Sequence, residues 1–119
     1  MELNSKLAEK EYQAGTIYLK MEYYRAAAIY FENVIEKYHD TPYAELAQLK
    51  KAEALSGRNK DSEAMSELEV FYRKYPNSEH KKEADELLAR IRQKLSEEKH
   101  DKKEQPKQAE AATTSDQEN

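Results

Sequence analysis

The sequence predicts an all-α chain of about five helices, arranged as antiparallel pairs stacked into a solenoid. Three observations carry that reading. Apolar residues recur at helical spacing in successive segments, helix breakers separate those segments, and the pattern returns after 37 residues. Composition agrees: charged residues make up 37% of the chain and hydrophobic ones 38%, with two glycines and three prolines, as in helix-rich soluble proteins.

The first helix is expected near residues 4–20, where Leu7, Ala8, Tyr12, Gly15, Tyr18 and Leu19 form a loose stripe. The second, near 23–38, is the most regular. Ala27, Tyr30, Phe31, Val34, Ile35 and Tyr38 step alternately by three and one, which places them on one face. A third helix is expected over 42–56, with Pro42 at its first position, where a missing N–H is harmless. Thr41 is placed to accept a hydrogen bond from the free N–H groups of that turn, and Gly57 to supply the left-handed residue that ends the helix. Its stripe is of small residues, Ala44, Ala47, Ala52 and Leu55. Ala64, Leu68, Phe71, Tyr72 and Tyr75 define a fourth helix near 60–75. Ala84, Leu87, Leu88, Ile91 and Leu95 define a fifth near 79–97, with Ser78 as its cap. From about residue 98 the stretch HDKKEQPKQAEAATTSDQEN and the residues leading into it offer no large apolar side chain, so residues 98–119 are expected to form a disordered polar tail.

The turn EKYHDTPYAE, residues 36–45, has a counterpart in RKYPNSEHKK, residues 73–82. A shift of 37 residues aligns Ala27 with Ala64, Glu32 with Glu69, Lys37 with Lys74, Tyr38 with Tyr75, Ala47 with Ala84 and Ala52 with Ala89. Small residues on paired helices (Gly15 with Ala27, Ala52 with Ala64) would let backbones approach, and Phe31 or Leu68 would fill the gap towards the neighbouring unit. This spacing resembles the tetratricopeptide repeat, carried by Gly15, Tyr18, Ala27 and Phe31, then by Ala52, Leu55, Ala64, Leu68 and Pro76. It departs at His39, where proline is usual. The resemblance implies a right-handed solenoid over residues 4–97, with units at about 5–41 and 42–78 and a capping helix at 79–97. A coiled coil would need heptads running unbroken through Thr41-Pro42, Gly57 and Pro76.

Several function classes find no support. With no cysteine there is no disulfide or thiolate chemistry. The longest apolar run, Ala26 to Phe31, is six residues, far short of the roughly 20 that span a bilayer. Residues 1–96 carry 16 basic and 17 acidic side chains, so nothing attracts nucleic acid strongly. His80 and Glu83 could share a helical face, but two groups do not make a metal site, and no metal or other cofactor is expected. No serine elbow or glycine-rich loop is present, so no catalytic residue is named and an enzyme is not expected. Lys50-Lys51 and Lys81-Lys82 are flanked by acids and read as solvated. The start, MELNSKLAEKE, lacks the basic and apolar regions of an export signal, which fits a cytosolic chain or a fragment from which such a signal has been removed. Tyrosine is abundant, nine in all. Tyr18, Tyr30, Tyr38, Tyr72 and Tyr75 lie on or beside the apolar stripes. Tyr12, Tyr23, Tyr24 and Tyr43 are not explained that way, and Tyr12, Lys20, Tyr23, Tyr24 and Arg25 are the candidate partner-binding residues.

The stretch from Leu7-Ala8 through Tyr18-Leu19-Lys20, Tyr24, Ala26 to Ala28, Phe31-Glu32, Val34 and Tyr38 to Pro42 resembles the C-terminal repeats of the BamD (ComL-like) family, lipoproteins of the outer-membrane β-barrel assembly machinery. The likeness covers about residues 5–95. It implies a non-catalytic adaptor at the periplasmic face of the outer membrane, whose protein partner is the periplasmic domains of the barrel-forming subunit. It further implies membrane attachment only through a lipid anchor outside this fragment, and no nucleic-acid partner. The alternatives are the repeat domain of a periplasmic Tol-Pal-associated coordinator, whose repeats join through turns like Tyr75-Pro76-Asn77-Ser78, and a generic cytosolic scaffold.

Overall fold

The computed structural model describes the backbone of residues 2–113 and the side chains of residues 3–98. Five helices follow one another: α1 (Glu2–Lys20), α2 (Tyr24–Lys37), α3 (Pro42–Gly57), α4 (Asp61–Lys74) and α5 (Lys81–Thr113). Each packs on the next, and α3 also touches α1 and α5. The odd-numbered helices therefore form one layer and the even-numbered ones the other. This is the all-α, tetratricopeptide-like stacking of helix pairs that the spacing predicts.

Apolar side chains collect in two cores. The first holds Ala8, Ala27, Ala28, Phe31, Val34, Ala47 and Ala54; the second holds Leu49, Ala52, Leu55, Ala64, Leu68, Phe71, Ala84, Leu87 and Ile91. Helix α3 contributes to both, because it has neighbours on opposite sides. It consequently buries Ala44, Ala47, Gln48, Leu49, Ala52, Ala54, Leu55 and Ser56, most of its circumference, where the sequence suggests a single stripe. Gln48, 3% exposed, donates from its amide to the Glu67 backbone carbonyl at 3.0 Å and to the Glu67 carboxylate at 2.6 Å, so this buried amide is satisfied from α4.

Within each helix pair the chain turns by the same device. After α1, the N–H of Tyr23 donates to the carbonyl of Tyr18 and that of Glu22 to Leu19; after α3, Lys60 donates to Leu55 and Asn59 to Ser56. These are paired six-to-one and five-to-two bonds, the Schellman arrangement, and it needs a left-handed residue at its apex. Glu22 (φ 63°) and Asn59 (φ 64°) take that role, 37 positions apart. Gly57 does not, since no glycine has positive φ. Its bare Cα instead makes room for Tyr24: an added Cβ would lie 2.5 Å from that ring. Gly15 serves Phe31 in the same way, with a Cβ placed 2.7 Å from the ring. Phe31 therefore fills space within its own helix pair as well as towards the next.

Between pairs, the recurring turn keeps its backbone and changes its side-chain bonds. Thr41 N–H donates to Tyr38 and Ser78 N–H to Tyr75, both at 3.1 Å. The Thr41 hydroxyl, however, donates back to the Tyr38 carbonyl at 2.7 Å and makes no bond to the first turn of α3, so it closes α2 rather than capping α3. Ser78 does accept from the His80 N–H at 3.0 Å, and it also bonds Glu45 in the first turn of α3.

Helix α5 is anchored by Lys94, whose Nζ lies 3.1 Å from the buried Asp61 carboxylate and 2.9 Å from the Ser56 carbonyl near the end of α3. A cation beside terminal carbonyls is also favoured by the helix dipole. The helix does not stop at 97: its backbone stays helical to Thr113, where the sequence predicts the polar tail. Ala, Glu, Lys and Gln make up most of this stretch and favour helix on intrinsic propensity even without an apolar face, against the cost of Pro106 within it. The rest of the predicted tail, residues 114–119, lies outside the described residues.

Candidate functional site

Tyr12 and Lys20 lie on the odd-numbered layer, in a groove of about 450 Å³ lined by Tyr12, Thr16, Leu19, Lys20, Lys50 and Glu53. Helical spacing along α1 puts positions 12, 16, 19 and 20 on one face, and α3 supplies the opposite wall. The half-buried Tyr12 ring rests 5.7 Å from the centroids of both Phe31 and Tyr43, tying the groove floor to the first core. Burial raises the pKa of its hydroxyl, opposed by the charge of Lys50. Lys50 is itself held, 3.1 Å from Glu83 on α5 and 3.4 Å from Glu53. Burial alone would lower its pKa, but the charge of Glu53 and the hydrogen bond that Lys50 donates to Glu83 outweigh it and leave the pKa raised. The wall thus presents a fixed cation with flanking carboxylates, next to an aromatic ring with a polar tip.

The other candidates lie elsewhere. Tyr24 sits over Gly57 and lines a smaller groove, about 230 Å³, with Leu87, Arg90 and Lys94. Tyr23 is exposed in the turn after α1, its ring 6.2 Å from Tyr18. Arg25 lines a third groove, between α2 and α3, with Ile29 and Arg58. The five residues named from sequence are therefore spread over several surfaces: Tyr12 and Lys20 share one, and Tyr24 and Arg25 face others.

Sequence reasoning missed Lys50 and Lys51 as structural ties. Consecutive residues point about 100° apart on a helix, so the two lysines face different neighbours. Lys51 reaches Glu32 on α2 at 2.6 Å and Glu67 on α4 at 3.2 Å, clamping three helices. Its pKa, which burial alone would lower, is raised by those two carboxylates. Only the adjacent Lys50–Glu53 pair is legible as a local spacing; Glu32, Glu67 and Glu83 come from other helices. Glu83, which helical spacing sets near His80, is the partner of Lys50.

A family model described as YfiO, outer membrane lipoprotein, matches residues 1–60, which takes in α1, α2 and all of α3. No curated protein matches the chain significantly.

Proposed function

Because the chain belongs to the YfiO family of outer membrane lipoproteins, the BamD-like assembly proteins, we propose that it is a non-catalytic adaptor docking the periplasmic domains of the barrel-forming assembly subunit. Residues 4–97 are the working domain, built of two helix pairs and the capping start of α5. The observation that carries the reading is the groove between α1 and α3, where Tyr12 and the tethered Lys50 stand on a frame shared by three helices. Stacked helix pairs hold such a surface rigid, so a partner that docks there loses little entropy to ordering the adaptor. Tyr12 supplies aromatic area with few rotors, and Lys20 sets orientation at the exposed rim. Tyr23, Tyr24 and Arg25 extend the contact over adjoining surfaces. Family membership supports a setting at the outer membrane, and a partner made of periplasmic domains would be met on its periplasmic side.

The test is capture of the purified periplasmic domains by the immobilised chain, with Lys20→Glu and Thr16→Arg as surface variants checked for unchanged helical content. Capture at micromolar concentration, weakened about tenfold or more by either variant, is the expected result. Failure of capture, or capture indifferent to both variants, would overturn the reading.

A further inference from the structure

A second surface, on the opposite side of α3 from Lys50, has its own chemistry. The groove between the first half of α2 and the second half of α3 has a volume of about 370 Å³ and is lined by Arg25, Ala28, Ile29, Glu32, Asn33, Lys51, Leu55 and Arg58. That volume falls within the roughly 300–1,000 Å³ of ordinary ligand pockets. Its floor is apolar, made by Ala28 and Leu55, and Ile29 is 55% exposed beside it. The charges divide in two. Lys51 is occupied by Glu32 and Glu67. Arg25 and Arg58, by contrast, have no carboxylate within 4.0 Å among the described residues, in a chain whose net charge is −4.

We infer that this groove binds an acidic peptide segment that carries a large apolar side chain between its carboxylates. Arginine recognises a carboxylate through a planar fork of donors, and an arginine not already paired loses no internal bond on doing so. The apolar floor accepts the side chain between the two cations and covers Ile29. Asn33 lines the same groove with an amide that can both donate and accept, which suits a peptide backbone. A small inorganic anion would use the arginines and leave the apolar floor uncovered. The site lies on the other side of α3 from the α1–α3 groove and shares only Arg25 with the adaptor contact proposed above; the adaptor test varies Thr16 and Lys20 instead, so either reading can fail alone.

The probe is acetyl-Asp-Phe-Asp-amide, titrated into the ¹⁵N-labelled full chain and followed by amide shifts. The controls are acetyl-Lys-Phe-Lys-amide and inorganic phosphate. Saturable shifts centred on Arg25, Ile29, Asn33 and Arg58 are expected with the acidic peptide alone, with an apparent Kd at least fivefold weaker in Arg25→Gln and in Arg58→Gln. The basic peptide giving the same shifts would overturn the inference, because charge would then play no part. Phosphate reproducing them would make the groove an anion site and also overturn it. So would millimolar acidic peptide producing no shift, or binding unchanged in both variants. Ile29→Ser, at an exposed position, keeps the test independent of the arginines: it should weaken the peptide and leave helical content intact.

Discussion

Replacing Gly15 with alanine sets helix propensity against packing, and the structure decides which wins. Alanine in the middle of a helix is better than glycine by about 0.8–1 kcal/mol, so propensity alone makes Gly15→Ala stabilising. The new Cβ, however, would sit 2.7, 2.9 and 3.0 Å from three ring carbons of Phe31. Restoring an ordinary carbon contact of about 3.5 Å requires the ring to retreat by roughly 0.8 Å. Phe31 is fully buried with Tyr12 packed against it, so it has nowhere to retreat. Overpacking of this kind costs about 1–3 kcal/mol. The net expectation is a loss of about 1 kcal/mol, at most roughly 2, which for a domain of this size lowers Tm by roughly 4–8 °C per kcal/mol. Urea and thermal unfolding followed by circular dichroism would measure it. Combining Gly15→Ala with Phe31→Leu should recover about 1 kcal/mol relative to additivity, since the shorter side chain vacates the contact. A Gly15→Ala variant more stable than the parent by the full propensity gain of about 0.8–1 kcal/mol would refute the close-approach argument.

Gly57→Ala is a contrast. Its Cβ would meet Tyr24, but that ring is only half-buried and can swing towards solvent, so a change within about 0.5 kcal/mol is expected in the same melts. Glu22→Gly should stabilise by about 0.5–1 kcal/mol, because a left-handed glutamate costs roughly 1–2 kcal/mol that glycine avoids; Glu69→Gly, at an exposed position in the interior of α4, should destabilise by about 1 kcal/mol. Lys51→Met should cost about 1–2 kcal/mol, since it removes the cation from Glu32 and leaves the Glu67 carboxylate to Gln48 alone, whereas Lys60→Met, which loses only an exposed 3.9 Å pair, should cost less than about 0.5 kcal/mol. Stability should also fall at alkaline pH. Burial and the hydrogen bond to Asp85 push the Tyr72 hydroxyl up to about 12. A folded pKa above the unfolded one gives stability that is complete below about pH 10 and is lost as pH rises towards 12, as it is for the raised Lys50 and Lys51. Ultraviolet titration of Tyr72→Phe should remove the latest-ionising tyrosine, and an unchanged curve would contradict this assignment.

Much of the fold was legible because its signals are local. The 3-4 spacing of Phe31, Val34 and Tyr38, the Pro42 start and the 37-residue return each depend on residues a few positions apart, and the helices fall within about two residues of the expected starts and, except for the end of α5, of the expected ends. The turns were less legible. Glycine is the usual left-handed residue, so Gly57 drew the assignment, while Glu22 and Asn59 hold the positions because the two backbone bonds there over-determine them. The candidate surface was legible only residue by residue. Tyr12 and Lys20 share a groove because α1 lies along α3, and Arg25 is turned away from them by the course of α2.

By itself, the sequence determined that this chain is a set of amphipathic helices in a repeating order, since periodicity and breakers act within a turn or two of helix. Only the tertiary structure decided which charges are spoken for. Lys50 and Lys51 look alike in the chain, yet one is fixed by Glu53 and Glu83 and the other by Glu32 and Glu67, while Arg25 and Arg58 have no carboxylate partner among the described residues. The reason is physical: an ion pair forms between side chains that packing brings within a few ångströms, and for helices 16 to 33 residues apart in sequence that distance is set by how the cores close.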